Sequence, residues 1–220
     1  MMKKQNYLKH AIVLFLLLLL MQPERAWAAY ENVEFSSLTN HDGLTNSQVG
    51  AILKDTRGYI WFGTQSGLCR FDGFRMKTFY YSNTDDKSLP NNSVDELQQD
   101  YDGNIWVHTS MGYSIYKYDE EQFDRKSEEW LKNIHVQGPP YKLLIDKDKN
   151  MWIAVYGQGL YYHNAKTKNT YLFKFTKKAQ PGCLKEGNIS KITEVDGDAL
   201  ITYGDGTICR VNGQKQKVLW

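Results

Sequence analysis

The stretch "DTRGYIWFGTQSGLCRFDG" at residues 55–73 joins a turn, an aromatic run, a second turn and a second run, and it recurs along the chain. The related stretches begin at residues 100, 146 and 194: "DYDGNIWVHTSMGYSIYKYD", "DKDKNMWIAVYGQGLYYHN" and "EVDGDALITYGDGTICRVN". The Trp of the motif returns after 45 and then 46 residues, and Leu200 takes its place 48 residues later. Self-similarity at such a period is typical of an array of equivalent structural units.

Each copy has an acidic residue, the Trp position and a second glycine six or seven residues after it, and every copy except the third has a glycine three positions after the acidic residue. These positions are Asp55, Gly58, Trp61 and Gly67; Asp100, Gly103, Trp106 and Gly112; Asp146, Trp152 and Gly159; and Glu194, Gly197, Leu200 and Gly206. An Asp side chain accepts hydrogen bonds from nearby backbone N–H groups, while Gly supplies the positive φ of a tight turn. Since Lys149 replaces the first glycine of the third copy, we expect Asn150 to be the left-handed residue there.

The runs between these turns are short and rich in β-branched and aromatic residues, which favours strands over helices. Each unit supplies about four antiparallel strands, and a single unit is too small to bury its own faces. Packing each small sheet against its neighbours around an axis gives a β-propeller, so we predict an all-β fold. The predicted parts are an N-terminal strand with its link at 29–48 and four blades at 49–92, 93–140, 141–187 and 188–220.

The first 28 residues have the three parts of a secretory signal peptide. They hold a basic start, an apolar run from Ala11 to Met21 and small residues around Ala28, after which we predict cleavage. The alternative, a retained membrane anchor, is disfavoured because the run is shorter than the roughly 20 residues of a spanning helix. The remaining chain carries 23 basic and 24 acidic residues. This balance argues against a nucleic-acid partner, and we expect a periplasmic chain without membrane contact after cleavage.

No set of residues in the sequence predicts catalysis, a metal site or a cofactor. The Asp-rich turns resemble calcium loops, but the closing Glu is replaced by Met111 in one copy and Gly157 in another. The histidines are scattered, and Cys69, Cys183 and Cys209 show no metal-ligand or redox spacing. We therefore expect the repeated Trp residues to pack between blades rather than to bind a ligand.

Ligand contacts are expected where the copies differ, on loops held by the repeated frame. The most divergent segment runs from Trp130 to Tyr141 and includes Gly138, Pro139 and Pro140. We interpret it as an exposed loop. It is either a spacer, which we favour, or a contact site in which Trp130 would touch the ligand.

The motif order at residues 35–79 resembles the two-component regulator propeller repeat, found in the periplasmic sensor region of hybrid two-component histidine kinases of Bacteroides-type bacteria. The resemblance weakens along the four copies but covers nearly everything after the signal peptide. It implies that the four blades belong to a larger, seven-bladed ring, and that carbohydrate breakdown products are common inputs. It also implies that the kinase activity of relatives lies in other parts of their chains.

We therefore expect a non-catalytic, extracytoplasmic sensor segment that binds an oligosaccharide, in a chain that is a fragment or a truncated product of a longer sensor. Its partners would be the rest of that sensor or a second copy. The alternative is an autonomous secreted propeller that binds carbohydrate or protein, and a glycoside-processing enzyme comes third.

Overall fold

The computed structural model describes residues 37–177 and 183–220. The signal peptide, its cleavage after Ala28 and the expected strand near Phe35 lie outside these ranges. The described unit begins at Leu38. A short 3-10 helix at Asn40–Asp42 is capped by Thr39, and the link that follows buries Leu44.

Four antiparallel sheets follow one another in the order of the sequence. The first contains β1 (Val49–Lys54), β2 (Ile60–Thr64), β3 (Gly67–Phe71) and β4 (Met76–Phe79). The second contains β5 (Val94–Gln99), β6 (Ile105–Thr109), β7 (Gly112–Lys117) and β8 (Gln122–Asp124). The third contains β9 (Pro140–Ile145), β10 (Met151–Val155), β11 (Gly159–His163) and β12 (Thr170–Thr176), and a short β13 (Leu184–Lys185) pairs with β12 in parallel. The fourth contains β14 (Ile189–Val195), β15 (Asp198–Tyr203), β16 (Ile208–Asn212) and β17 (Lys217–Val218).

This architecture confirms the predicted all-β fold of four-stranded sheets. The blade limits stay a prediction as domain boundaries, and β9 begins one residue before the predicted third blade. The first strands of successive sheets contact each other, β1 with β5, β5 with β9, and β9 with β14. They therefore line the inner side of the array, as the first strands of propeller blades do.

The first three hairpin turns are each organised by one Asp carboxylate. In the first turn, Oδ1 of Asp55 accepts from the backbone N–H groups of Arg57 and Tyr59, and Oδ2 accepts from Nε1 of Trp61 at 2.7 Å. The same contacts recur at Asp100 with Trp106 and at Asp146 with Trp152. The turn is therefore tied to the strand that follows it by an indole N–H.

Two expectations about individual turn residues were wrong. In the third turn Lys149, not Asn150, has positive φ, at 65°. The amide of Asn150 is buried and donates to both oxygens of Asp146, so Asn150 braces the turn.

Glu194 is not the counterpart of Asp55. It pairs with Ala199, as Gln99 pairs with Ile105, and the hairpin closes through a two-residue turn between Val195 and Asp198. The pairing register, which the local sequence pattern did not reveal, therefore makes Glu194 the counterpart of Gln99.

Three apolar cores lie between successive sheets, and each contains one repeated Trp. Trp61 packs in the core between the first and second sheets, Trp106 in the next and Trp152 in the third. All three indoles are fully buried. Each repeat thus supplies the bulkiest side chain of its interface with the following sheet. In residues 37–177 and 183–220, no helix is both long and apolar enough to cross a bilayer.

Candidate functional site

The repeated polar residues are used to hold neighbouring sheets together. Next to the first turn, Tyr118, which directly follows β7, donates its hydroxyl to Asp55, and the guanidinium of Arg70 donates to the hydroxyl of Tyr116 in β7 at 3.2 Å. Burial raises the pKa of Tyr118, and its bond to the Asp55 carboxylate raises it further. Burial likewise raises the pKa of Asp100, against the hydrogen bonds from Trp106 and Asn104. These groups are saturated by protein contacts, so they are scaffold.

Side chains of the inner strands continue this cross-linking. Gln98 donates to the carbonyl of Leu143 at 2.7 Å and accepts from the N–H of Ile145, so its amide binds β9 as a strand backbone would. Gln99 accepts from the N–H of Thr56 in the turn of the preceding sheet. Its counterpart Glu194 accepts from the N–H of Lys147 in the same way, at 2.9 Å.

Every inner strand contains a β-bulge at its second residue. The pairing with the next strand skips one residue in each sheet, and the residues skipped are Gly50, Asp95, Tyr141 and Ser190. Bulges re-aim side chains and are common beside functional sites. The backbone feature is therefore the same in all four sheets, while the four residues at the bulge differ, and Gly50 presents no side chain.

In the second sheet the bulge residue pairs with a histidine. Nδ1 of His108 donates to Oδ1 of Asp95 at 2.6 Å, and the His108 ring lies 4.5 Å from the ring of Tyr113. The Tyr113 hydroxyl donates to Glu96 and accepts from the N–H of Leu143 in the third sheet. Burial raises the pKa of Tyr113, and the negative charge of Glu96 adds to the effect. This contact fixes the second sheet against the third at the level of the bulges.

In the third sheet the bulge residue is stacked under an exposed tyrosine. The rings of Tyr141 and Tyr156 lie 3.9 Å apart at an angle of 19°, and Tyr156 is 65% exposed. The Tyr141 hydroxyl accepts from the N–H of Ile189 in the fourth sheet, and burial raises the pKa of Tyr141. We call the four bulge residues, Gly50, Asp95, Tyr141 and Ser190, the bulge site.

Trp130 was expected in an exposed loop, but the structure places it elsewhere. It lies in the helix α1 (Ser127–Asn133), where it is half-buried, and its ring meets the ring of Trp106 edge to face at 5.2 Å. Leu131, Ile134 and Val136 carry the same segment into the core between the second and third sheets. The expectation of an exposed loop was wrong, because these apolar side chains are buried against β7 and β9. A role for Trp130 in ligand contact stays a prediction.

Two grooves lie at the outer edges of the sheets. One of about 480 Å³ is lined by Lys87, Lys117, Asp124 and Arg125, among others. The guanidinium of Arg125 donates hydrogen bonds to the carbonyls of Ser82, Asp85, Ser88 and Leu89. The other groove, of about 330 Å³, lies beside Tyr162 and Tyr171. Asn164 also lines it, and its side-chain amide forms hydrogen bonds within its own turn.

The cysteines and histidines do not gather into a site in the described part of the chain. Cys69 is buried and its sulfur accepts from the N–H of Thr45, while Cys183 and Cys209 are half-buried free thiols. No three of the described His, Cys, Asp and Glu residues are placed to hold a metal ion.

Sequence reasoning missed the bulge site, because the aligned strands contain only a partial signal for it. Aligning the four copies on the inner strands "VGAILK", "VDELQQ", "PYKLLI" and "ISKITE" places Gly50, Asp95, Tyr141 and Ser190 in one column. That column differs in every copy, but so does the column of Lys54, Gln99, Ile145 and Glu194. Divergence within the strand therefore does not single out the bulge, and the pairing register was needed to find it.

Comparison with family models places two of the repeats. Residues 43–66 and 88–111 match the family described as two component regulator propeller, so these two segments are similar to the repeat of that family. A curated relative, Histidine kinase P4 of Formosa agariphila, is 41% identical over 61 residues. That match covers 28% of this chain and 4% of the kinase.

Two solved structures with the same fold come from B. thetaiotaomicron and Porphyromonas gingivalis. One, described as the extracellular domain of a hybrid two component system of B. thetaiotaomicron, has a TM-score of 0.60 at 24% identity and covers 83% of this chain. Another, PorZ, a surface component of the type-IX secretion system of Porphyromonas gingivalis, has a TM-score of 0.54 at 12% identity and covers 82% of this chain. The chain spans 26% and 23% of these two proteins. At these identities the likeness shows the fold alone.

Proposed function

We propose that this chain is part of the extracytoplasmic sensor region of a hybrid two-component signalling protein, exported to the periplasm through a cleaved signal peptide. Its ligand is an oligosaccharide released by carbohydrate breakdown, and its role is binding rather than catalysis. The family match at 43–66 and 88–111 and the extracellular neighbours support the sensor assignment.

One observation is the main support for a binding role. The repeated residues form contacts within and between sheets, whereas the bulges place a different residue at the equivalent position of each sheet. The four sheets repeat the same backbone but differ at one position of the inner strand. Such an arrangement suits the recognition of an asymmetric ligand.

Signalling requires the ligand to bind two arrangements of the sensor with different affinity, because a ligand shifts an equilibrium only through that difference. The inner strands are joined by side chains such as Gln98 and Gln99, so a ligand that bridges two sheets near them would favour one spacing of those sheets.

A growth experiment tests this function. Cells of the source bacterium with and without the gene are transferred to a set of purified oligosaccharides, and transcripts are measured. We expect one saccharide to induce a group of transcripts only when the gene is present. Unchanged induction by every saccharide in the deletion strain would contradict the sensor role.

An autonomous binding module is the second candidate, since PorZ shows the same fold in a surface protein of another system. It predicts binding of a saccharide or protein to the chain without any transcriptional response. The same experiment, combined with a binding assay on the full chain, separates the two.

A further inference from the structure

We propose that two copies of this chain associate head to tail, through the side of the first sheet that points away from the second and the side of the fourth sheet that points away from the third. We call these sides the first-sheet face and the fourth-sheet face. They are defined by Ile52, Ile60 and Phe62 and by Leu200, Thr202 and Ile208, respectively. This inference goes beyond the proposed function and does not depend on it.

The first-sheet face has the composition of a buried face. Ile52 occupies the inner-strand position of Leu97, Leu143 and Ile192, since each of the four residues pairs with the same position of the second strand of its sheet. The other three residues are between 3% and 8% exposed, because each packs in the core against the preceding sheet. Ile52 is 67% exposed. A sheet that covered Ile52 would therefore form an interface of the kind that the chain already forms three times.

The fourth-sheet face corresponds to the faces that cover this position elsewhere. Leu200 occupies the position of Trp61, Trp106 and Trp152, which pack in the core with the following sheet. Leu200 is only half-buried, and Ile208 on the same face is 46% exposed. In the described ranges, no strand of the fourth sheet packs extensively against a strand of the first. The chain thus carries both surfaces of a further contact between sheets, and one copy does not bring them together.

A polar contact accompanies the apolar core at two of the existing interfaces. It comes from the inner-strand position two residues after the buried aliphatic side chain. At this position Gln99 accepts from the N–H of Thr56, in the turn of the preceding sheet. Glu194 likewise forms an ion pair with Lys147 at 2.9 Å. In the first sheet the position belongs to Lys54, which is exposed.

The fourth sheet offers Lys54 an acidic partner. Asp196 lies in its hairpin turn, which corresponds to the turn that holds Lys147, and its side chain is 83% exposed. Its carboxylate lies 3.8 Å from the guanidinium of Arg210 in the same copy. A head-to-tail contact would place Lys54 against Asp196 and repeat the ion pair of the existing interface with the charges reversed. Because this match comes from residues of the chain itself, a second copy suits the first-sheet face.

The two faces differ, so the contact between copies is heterologous. Such a contact closes into a ring or continues as an open chain of copies. Two copies of four sheets supply eight, which is within the range of known propellers. We therefore expect a closed pair in which the contact forms twice.

Sedimentation velocity of the full chain over a range of protein concentrations tests this association. We expect a dimer that dissociates on dilution. Ile52→Glu should raise the dissociation constant at least about tenfold, because it places a charge against an apolar face. Circular dichroism of this variant should match that of the parent chain, since Ile52 is exposed within one copy.

A charge exchange tests the direction of the contact. Lys54→Glu should raise the dissociation constant about threefold to tenfold, because two acidic residues would then face each other. Adding Asp196→Lys to this variant should restore the affinity of the parent chain. The matched control is Met111→Glu, which adds the same charge at a residue that is 72% exposed in the turn between β6 and β7 of the second sheet. It should leave the dissociation constant unchanged.

The outcomes separate this inference from the proposed function. A monomer at every concentration would overturn the inference and leave the sensor assignment in place, with the first-sheet face open to another part of the sensor. A dimer that Ile52→Glu does not weaken would place the contact on another surface and overturn it too. Species larger than a dimer would overturn the closed pair. Unchanged transcripts in the deletion strain would contradict the sensor role alone.

Discussion

The first and fourth hairpins come from the same repeat but hold their sheets with different side chains. In the first, Asp55 accepts from the indole of Trp61 and from two backbone N–H groups. In the fourth, Leu200 replaces the indole, and the buried carboxylate is Asp198, which accepts from Arg210 and Asn212. A carboxylate is thus retained beside the hairpin even where its original donor is lost.

The reason is that a buried carboxylate must be matched by donors. In the first three sheets the donor is the Trp indole, which is part of the apolar core. The hydrogen bonding of the turn and the packing of the core therefore depend on each other. In the fourth sheet the donors come from β16, opposite Asp198 and Leu200, and the turn itself contains only Asp196 and Gly197. The first type of hairpin should therefore be more sensitive to mutation than the fourth.

The largest expected effect is at the Trp position. Trp106→Ala should lower the free energy of unfolding by about 3–5 kcal/mol, because it removes a fully buried indole from the core between the second and third sheets. Leu200→Ala, at the equivalent half-buried position, should cost less than half as much. Denaturant unfolding of both variants checks this, and similar losses would contradict the distinction.

The second effect is at the turn carboxylate. Asp55→Ala should lower the free energy of unfolding by about 2–3 kcal/mol, since the Trp61 indole N–H and the Tyr118 hydroxyl would lose their acceptor. The matched control is Asp72→Ala, which removes an Asp that caps an exposed turn by accepting from Phe74 and Arg75. Its cost should be about 1 kcal/mol or less. Equal melting temperatures for the two variants would count against the role of the indole.

The third effect compares equivalent cross-links between sheets. Gln99→Ala should cost about 1–2 kcal/mol, because the buried amide of Gln99 bonds both Thr56 and Gly103. Glu194→Ala removes the corresponding contact to Lys147 at a more exposed position, and it should cost less than about 1 kcal/mol. Chemical denaturation of the two variants at neutral pH measures the difference, and a larger loss for Glu194→Ala would refute the ranking.

The smallest effect is a pH dependence at His163. Burial lowers its pKa below 6.5, and Lys168 and His135 add to the effect. The Thr170 hydroxyl donates to the carbonyl of Ile134, so Nδ1 of His163 carries the proton and its buried Nε2 has no partner in the described structure.

Proton linkage gives the direction in which the stability changes with pH. Below pH 6.5 the unfolded chain binds more protons at this residue than the folded chain, so stability is present above that pH and is lost as the pH falls toward the folded pKa. The slope from one residue is at most about 1.4 kcal/mol per pH unit. Melting temperatures between pH 7.5 and 5.5 should fall less in His163→Gln than in the parent chain. An identical slope in His163→Gln would disprove the assignment.

Much of the fold was predictable because its determinants are local and repeated. The turn Asp, the β-branched strands and the Trp period each appear several times, so one weak copy, such as "DKDKN" at 146–150, is supported by the others. The helix α1 was not predicted, because the segment "SEEWLKN" occurs once and is only seven residues long. Its apolar residues become interpretable only when the cores beside them are known.

The amino-acid sequence was sufficient to indicate a propeller built from equivalent four-stranded units, since hairpin turns and strand composition act over a few residues. Tertiary structure was needed to show that Glu194 corresponds to Gln99, that Trp130 packs on Trp106, and that Gln98 binds the backbone of β9. These relations join residues of different units or depend on pairing register, which a bulge or a shortened turn shifts by one position. They follow from how sheets pack, and no pattern within a single repeat encodes them.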